Sequence, residues 1–271
     1  MKISAIVPTR NSERTIASCL ESLRGQQGCE VEVIVIDNNS SDDTARIASK
    51  LADIFINAGP ERSAQRNRGA AAATGEIVFF IDSDMVLEPM VCADIVDVFT
   101  RQPEIGAVIV PERSFGEGYL ASCRVLEKSL YVGDSDVEAP RAFRRELFDQ
   151  IGGWDETLTA AEDWDLADRT RALNVKIDRV YSWIWHDEGR ISLLAQYKKK
   201  QYYGRWVAEY LHRHPEARSH VSRPGVMSKP GALLRQPVKT GGMVVLKTFE
   251  VAGLVKGMRD AKRSGLVGAD E

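Results

Sequence analysis

The first 110 residues alternate between short apolar runs and segments of helical period, and few folds accommodate that alternation. Ile3 to Val7, Val31 to Ile36, Ile54 to Ile56, Ile77 to Ile81 and Ala107 to Val110 read as strands. Between them, apolar residues recur at helical spacing: Ile16, Cys19, Leu20 and Leu23, then Ile47, Ala48 and Leu51. An Ala-rich helix is expected from Ser63 to Thr74 and another from Pro89 to Thr100. Strand and helix in turn demand βαβ crossovers, so the expectation is an α/β fold with a doubly wound, mainly parallel sheet flanked by helices. Ile77 to Ile81 contains no polar residue, as expected of a strand buried on both faces. No Gly-x-Gly-x-x-Gly follows the first strand, so a dinucleotide fingerprint is missing.

That central run ends on Asp82-Ser-Asp84. In open α/β sheets, ligands bind beyond the carboxyl ends of the strands. Two neighbouring carboxylates there repel each other unless a cation lies between them, and Mg²⁺ is commonly held by one or two carboxylates plus substrate phosphates. A polar turn uses the same residue types, and on these residues alone the two readings stand level. Three further clusters add weight: Pro8-Thr-Arg-Asn11 and Asp37-Asn-Asn-Ser-Ser-Asp42 follow strands, and Glu162-Asp163 opens a helix.

Beyond residue 110 the pattern loosens. Helices are expected over Tyr119 to Val132, Arg144 to Gln150 and Glu162 to Leu173, the last with Trp164, Leu166 or Ala167, Thr170 and Leu173 inward. Short strands are expected at Arg141 to Phe143 and Val175 to Val180, followed by an aromatic segment from Trp183 to His186. A long helix from Ile191 to His212 would turn Ile191, Leu194, Ala195, Tyr202, Trp206 and Tyr210 to one side. Pro215, Pro224, Pro230 and Pro237 mark an irregular linker, and Met243 to Met258 a final helix. Residues 1–188 form the expected main α/β domain, and 189–271 a basic helical extension.

With 44% hydrophobic and 28% charged residues in 271, the chain has the makings of a real core. The four cysteines show no metal-finger spacing and suit a reducing compartment. No signal sequence or spanning helix is expected, which points to a cytoplasmic protein. The net charge of −3 hides an asymmetry. From Gly189 to Gly265 there are sixteen Lys or Arg against four acids, a surplus of twelve positive charges that leaves the remainder at −15. Such a tail is expected to meet something anionic, such as the inner face of a membrane or a diphosphate ligand, or else to contact a partner subunit, as in a homodimer, or form a solvated surface. No nucleic-acid partner is expected.

The ordered set of motifs resembles a family-2 glycosyltransferase of the GT-A fold. The matching residues are Ile6-Val-Pro-Thr-Arg-Asn11, Val35-Ile-Asp-Asn-Asn-Ser-Ser-Asp-Asp-Thr44, Arg66-Asn-Arg-Gly69, Thr74 to Asp84, Ile151-Gly-Gly-Trp-Asp155 and Glu162-Asp-Trp-Asp-Leu166. The resemblance implies an inverting, metal-dependent transfer of one sugar from a nucleotide-diphosphate sugar, UDP- or GDP-linked, to a hydroxyl of a lipid-linked or cell-envelope acceptor. It implies that Pro8, Thr9, Asn11, Asp37, Arg62, Arg66 and Asp82 contact the nucleotide. Asp82, Asp84 and His186 would ligate Mg²⁺ or Mn²⁺. Asp163 would be the general base, and Glu162 would hold the acceptor or the metal shell; Trp154 and Asp165 would face sugar or acceptor. Asp163 and Asp165 lie two apart on a helix, so only one of them should reach the site. Processive synthases of the superfamily carry Gln-x-x-Arg-Trp, whereas Gln201-Tyr-Tyr-Gly-Arg-Trp206 has one residue more, which implies single transfer. A sugar nucleotidyltransferase and a non-catalytic sugar-nucleotide-binding protein are the alternatives; the first would need a Gly-rich phosphate loop after the first strand.

Overall fold

The computed structural model describes residues 1–134, 137–213 and 229–263. The chain divides into two compact units: Met1–Arg113 with Gly133–Thr157 and Glu162–Asp187, and Ser114–Val132 with Leu158–Ala161 and Glu188–Glu271.

The first unit opens with the expected alternation. Its order is β1 (Lys2–Thr9), α1 (Ile16–Arg24), β2 (Glu30–Asp37), α2 (Thr44–Leu51), β3 (Ile54–Asn57), α3 (Arg62–Ala72) and β4 (Ile77–Phe80), then β5 (Met85–Leu87), α4 (Val91–Arg101) and β6 (Ile105–Ile109). Later come β8 (Ala142–Arg144), α6 (Arg145–Gln150), α7 (Glu162–Ala172) and β9 (Lys176–Arg179). Seven strands form one sheet in the order β3-β2-β1-β4-β8-β6-β9. β1 pairs in parallel with β2 and β4, β2 with β3, and β6 with β9; β8 runs antiparallel between β4 and β6.

Because side chains alternate across a strand, the sheet feeds two cores. Ile3, Ala5, Val7, Ile77, Phe79 and Ile81 join one with the buried faces of α1 and α4. Ile6, Ile34, Ile36, Val78 and Phe80 join the other with Phe143, Phe148, Trp154 and Leu166. Gly69 lets α3 lie directly on the sheet: a Cβ there would stand 2.4 Å from Ile6 Cγ2. One acid is built into the sheet: Glu32 accepts from Ser4 Oγ at 2.6 Å, from Thr74 N at 2.9 Å and from Thr74 Oγ1 at 2.7 Å.

β7 (Glu112–Glu117) and β10 (Ile184–Arg190) straddle the division of the chain. Neither β5 nor β7 is expected from the sequence, and β10 absorbs the aromatic segment. In the first unit, β10 pairs antiparallel with β5, His186 opposite Met85. Leu173 is exposed, contrary to the expected inward face of α7.

The second unit holds α5 (Gly118–Ser129), α8 (Leu193–Arg213), the one-turn α9 (Pro230–Leu234) and α10 (Pro237–Arg263). Pro215 and Pro224 lie outside the described residues. On α8 the expected inward face is corrected in part: Tyr210 is buried as expected, but Leu194 and Tyr202 are exposed, and Val207 and Ala208 are buried in addition. The close partner of α8 is α10, through glycine: a Cβ on Gly204 would meet Leu254 O at 2.4 Å, and one on Gly257 would meet Gln201 O at 2.1 Å. With backbone rather than side chains at the seam, large residues near it must turn outward. An ionic cluster is buried in the same unit: Arg124 donates to Glu127 and to Glu250, and Lys247 reaches both acids. Burial lowers the Lys200 ammonium pKa beside this cluster, partly offset by Glu250.

Candidate active site

The loops at the carboxyl ends of β1, β2 and β4 are laced together. Asp37, fully buried, accepts from Ser40 N at 2.9 Å and Ser40 Oγ at 2.5 Å. Asn11, at φ 50°, accepts from Ser41 N at 2.8 Å through its side-chain oxygen and donates from its backbone to Ser40 Oγ at 2.8 Å. Ser83 Oγ donates to Ser12 Oγ at 2.9 Å. Pro8 and Thr9 lie buried at the end of β1. Gln65 braces these ends from α3, donating to Thr9 O at 3.1 Å and Ile36 O at 2.6 Å.

Beyond β4 the charges interlock. Arg66, 1% exposed, stacks over the Trp154 ring at 4.3 Å. It donates to Asp82 Oδ1 at 2.9 Å and lies 3.4 Å from Asp163 Oδ1. On the other side of Asp82, Arg141 stands 3.5 Å from Oδ2 and donates through Nε to Glu112 Oε1 at 2.7 Å. Burial alone would raise the Asp82 pKa, but Arg66, then Arg141 and Arg62, with His186, hold it far below the usual carboxylate range. Arg62 pairs with Glu162 at 3.0 Å. Burial, and then neighbouring Asp163, push the Glu162 carboxyl up against the pull of Arg62 and Arg66. Asp163 itself is half exposed, at 51%.

Asp84 stands apart from that arginine cluster. Its Oδ2 lies 3.2 Å from His186 Nε2, and His186 Nδ1 lies 3.6 Å from Glu112 Oε2. The β-bridge Asp187 N to Asp84 O, 2.8 Å, fixes the two backbones side by side. No group of three His, Cys, Asp or Glu converges as metal ligands among the described residues. The set Asp82, Asp84 and His186 expected for a cation is therefore split: Asp84 and His186 form a pair, while both Asp82 oxygens face guanidinium groups. A carboxylate oxygen suits Mg²⁺ or Mn²⁺, and the imidazole nitrogen beside it favours a transition ion such as Mn²⁺ over Mg²⁺.

Two expectations change. Asp165 accepts from Arg169 Nε at 2.9 Å, and Arg169 in turn donates to Ile151 O and Gly153 O. It braces the Gly152–Gly153 turn and leaves the sugar or acceptor set. Trp154 is 5% exposed, edge-on to Phe80 at 5.3 Å, and lies beneath Arg66 as a core residue. Three polar groups of this region are buried without a hydrogen-bond partner: Thr9 Oγ1, Arg66 Nε and Trp154 Nε1. Arg141, Glu112 and Gln65 are missed by the sequence reading. None sits in a recognisable spacing, and only the antiparallel placement of β8 delivers Arg141 to Asp82.

Solved structures share this fold. Over 98% of this chain and 79% of theirs, coordinates of a mannosyltransferase from Pyrobaculum calidifontis, in complex with GDP-Man and Mn²⁺, superpose with a TM-score of 0.59 at 18% identity. TarS 1-349 of S. aureus in complex with UDP gives 0.55 at 18% identity, over 97% of this chain and 92% of that one. Among curated relatives, an uncharacterized glycosyltransferase of Haemophilus influenzae is 27% identical over 177 residues, 60% of each chain. Beta-monoglucosyldiacylglycerol synthase of Trichormus variabilis is 27% identical over 229 residues, 76% of this chain and 48% of that one. This chain spans 28% to 60% of the length of the first three curated relatives it matches. A model described as Glycosyl transferase family 2 matches residues 4–152, more than half of the sequence, and the chain belongs to that family.

Proposed function

We propose that the protein moves one sugar from a nucleotide-diphosphate sugar to an acceptor hydroxyl with inversion at the anomeric carbon. The observation that carries this reading is the pair of acids that share the Arg66 guanidinium: Asp82 at 2.9 Å from Nη2 and half-exposed Asp163 at 3.4 Å from Nη1. The ligands of the solved relatives, GDP-Man with Mn²⁺ and UDP, support a nucleotide-diphosphate donor. In this reading the buried Asp37 and the Thr9, Pro8 and Asn11 loop hold the nucleoside. Arg62 and Arg66 lie along the diphosphate, where a planar guanidinium suits phosphate oxygens. Asp84 and His186 would hold a divalent cation, which neutralises charge on the departing diphosphate when bound. Asp82 fixes Arg66 and Arg141 rather than the cation. Asp163 takes the proton from the acceptor oxygen as that oxygen attacks. Glu162 acts as a positioning residue, holding Arg62 beside it. The acceptor is a hydroxyl of a lipid-linked or cell-envelope glycan class.

The test is release of nucleoside diphosphate across a panel of UDP- and GDP-sugars, with Mn²⁺, with Mg²⁺ and with chelator. Release that depends on the cation and on one donor is expected. Release of pyrophosphate from a nucleoside triphosphate and a sugar phosphate instead would assign the chain to nucleotidyl transfer.

A further inference from the structure

The helix α10 is built inside out. Its buried positions are Gly242, Met243, Leu246, Glu250, Gly253, Gly257 and Ala261, so that from residue 250 onward small residues and a paired acid, rather than large side chains, face the interior of the second unit. The opposite arc carries the large side chains. Val244 is 51% exposed, Val251 55% and Phe249 40%, with Val245 and Val255 alongside. From Gly241 to Val255 the one charged side chain that reaches solvent is Lys247, which pairs with Glu127 and Glu250. The same arc then continues as Lys256, Arg259, Lys262 and Arg263. Asp260 pairs with Lys256 at 2.5 Å, and Glu250 is buried against Arg124, which leaves Arg259, Lys262 and Arg263 as the surplus of this arc over the acids of α10. No helix among the described residues is long and apolar enough to cross a membrane.

We infer that this arc of α10 is a docking surface for an anionic lipid bilayer, with the helix lying in the interface. Its valines and Phe249 enter the acyl boundary, and its last two turns lie among acidic headgroups. An exposed apolar band on a monomer marks an interaction site, and the Lys and Arg that follow it on the same arc add attraction to acidic lipid. Charge decides between a bilayer and a second copy of the chain. A second copy would present the same arc, with cations and no exposed acid, whereas an anionic leaflet supplies the missing negative charge along with an apolar phase. The tail's surplus of positive charge alone suggested such a partner; the outward valines specify which face meets it.

The experiment is cosedimentation of the full chain with vesicles of phosphatidylcholine plus phosphatidylglycerol, against phosphatidylcholine alone. Binding to the anionic vesicles is expected at about 0.05 M salt and much less at about 0.5 M. Val251→Asp with Val255→Asp, and separately Arg259→Glu with Lys262→Glu, should each weaken it by about tenfold or more. These side chains face outward, so the far-ultraviolet spectrum and thermal transition should be retained. Val251→Ser with Val255→Ser gives a gentler check on the apolar half. Absence of binding at low salt, or binding that both substitution pairs leave intact, overturns the inference. A concentration-dependent dimer that the aspartates dissociate, without vesicle binding, assigns the face to a second copy instead.

Discussion

Asp163 and Asp165 separate two roles that the sequence leaves side by side. Asp163 is half exposed next to Arg66, whereas Asp165 is held at 2.9 Å by Arg169, so the helix turns only one of them toward the charged cluster. Asp163→Asn is expected to retain donor binding by calorimetry and to lower kcat/KM by about 10²- to 10⁴-fold, the usual range for a lost acid–base group. Asp165→Asn should act on stability and leave the split between kcat and KM unchanged. Glu32 gives a pH dependence. Burial opposes its ionisation, but hydrogen bonds from Ser4 and Thr74 and the Lys2 ammonium bring its pKa from 4.5 down to about 2. A depressed carboxyl stabilises the fold above its unfolded value and loses that contribution as pH falls from about 4.5 toward 2. The wild type should therefore lose on the order of 3 kcal/mol across that window that Glu32→Gln does not lose, read by urea unfolding at several pH values. At this scale the sequence was legible where acids end strands. It was silent on Arg141 and Glu112, which reach the site through a strand pairing that no local pattern announces.

Regular elements were legible wherever periodicity and chemistry agreed, as in β1 to β4 and α3. The exceptions share a cause. β8 enters the sheet antiparallel, and three residues of strand carry no sign of direction. α10 runs from Pro237, six residues earlier than the apolar pattern suggested; its buried stripe mixes Gly242, Gly253 and Gly257 with Met243, Leu246 and Glu250 and so gives no clean apolar period. That stripe makes a prediction. A Cβ on Gly257 would stand 2.1 Å from Gln201 O, a backbone atom that cannot swing aside. Gly257→Val should force α8 and α10 apart and cost roughly 2–4 kcal/mol, the magnitude of severe overpacking, in chemical denaturation. Gly231→Val, where a Cβ meets nothing within 4 Å, is the control and should remain near wild type.

For the whole molecule, the order of motifs along the sequence carried the fold class and the family, while the division into units was less accessible. Residues 114–132 and 158–161 belong with the tail rather than with the flanking sheet, and contacts between distant segments leave no mark in composition. A saturating nucleoside diphosphate with Mn²⁺ should raise the thermal midpoint, by a stabilisation of about 2.7 kcal/mol at a hundredfold excess over Kd, and chelator should abolish most of the shift. The guanidinium pair around Asp82 governs how such variants are interpreted. Replacing Asp82 by Asn removes the carboxylate that Arg66 and Arg141 share and leaves them to Asp163 and Glu112, so an inert Asp82→Asn protein reports a disturbed arginine cluster as readily as broken chemistry. Asp84→Asn, which disturbs no arginine, is the variant whose silence would speak for the ion.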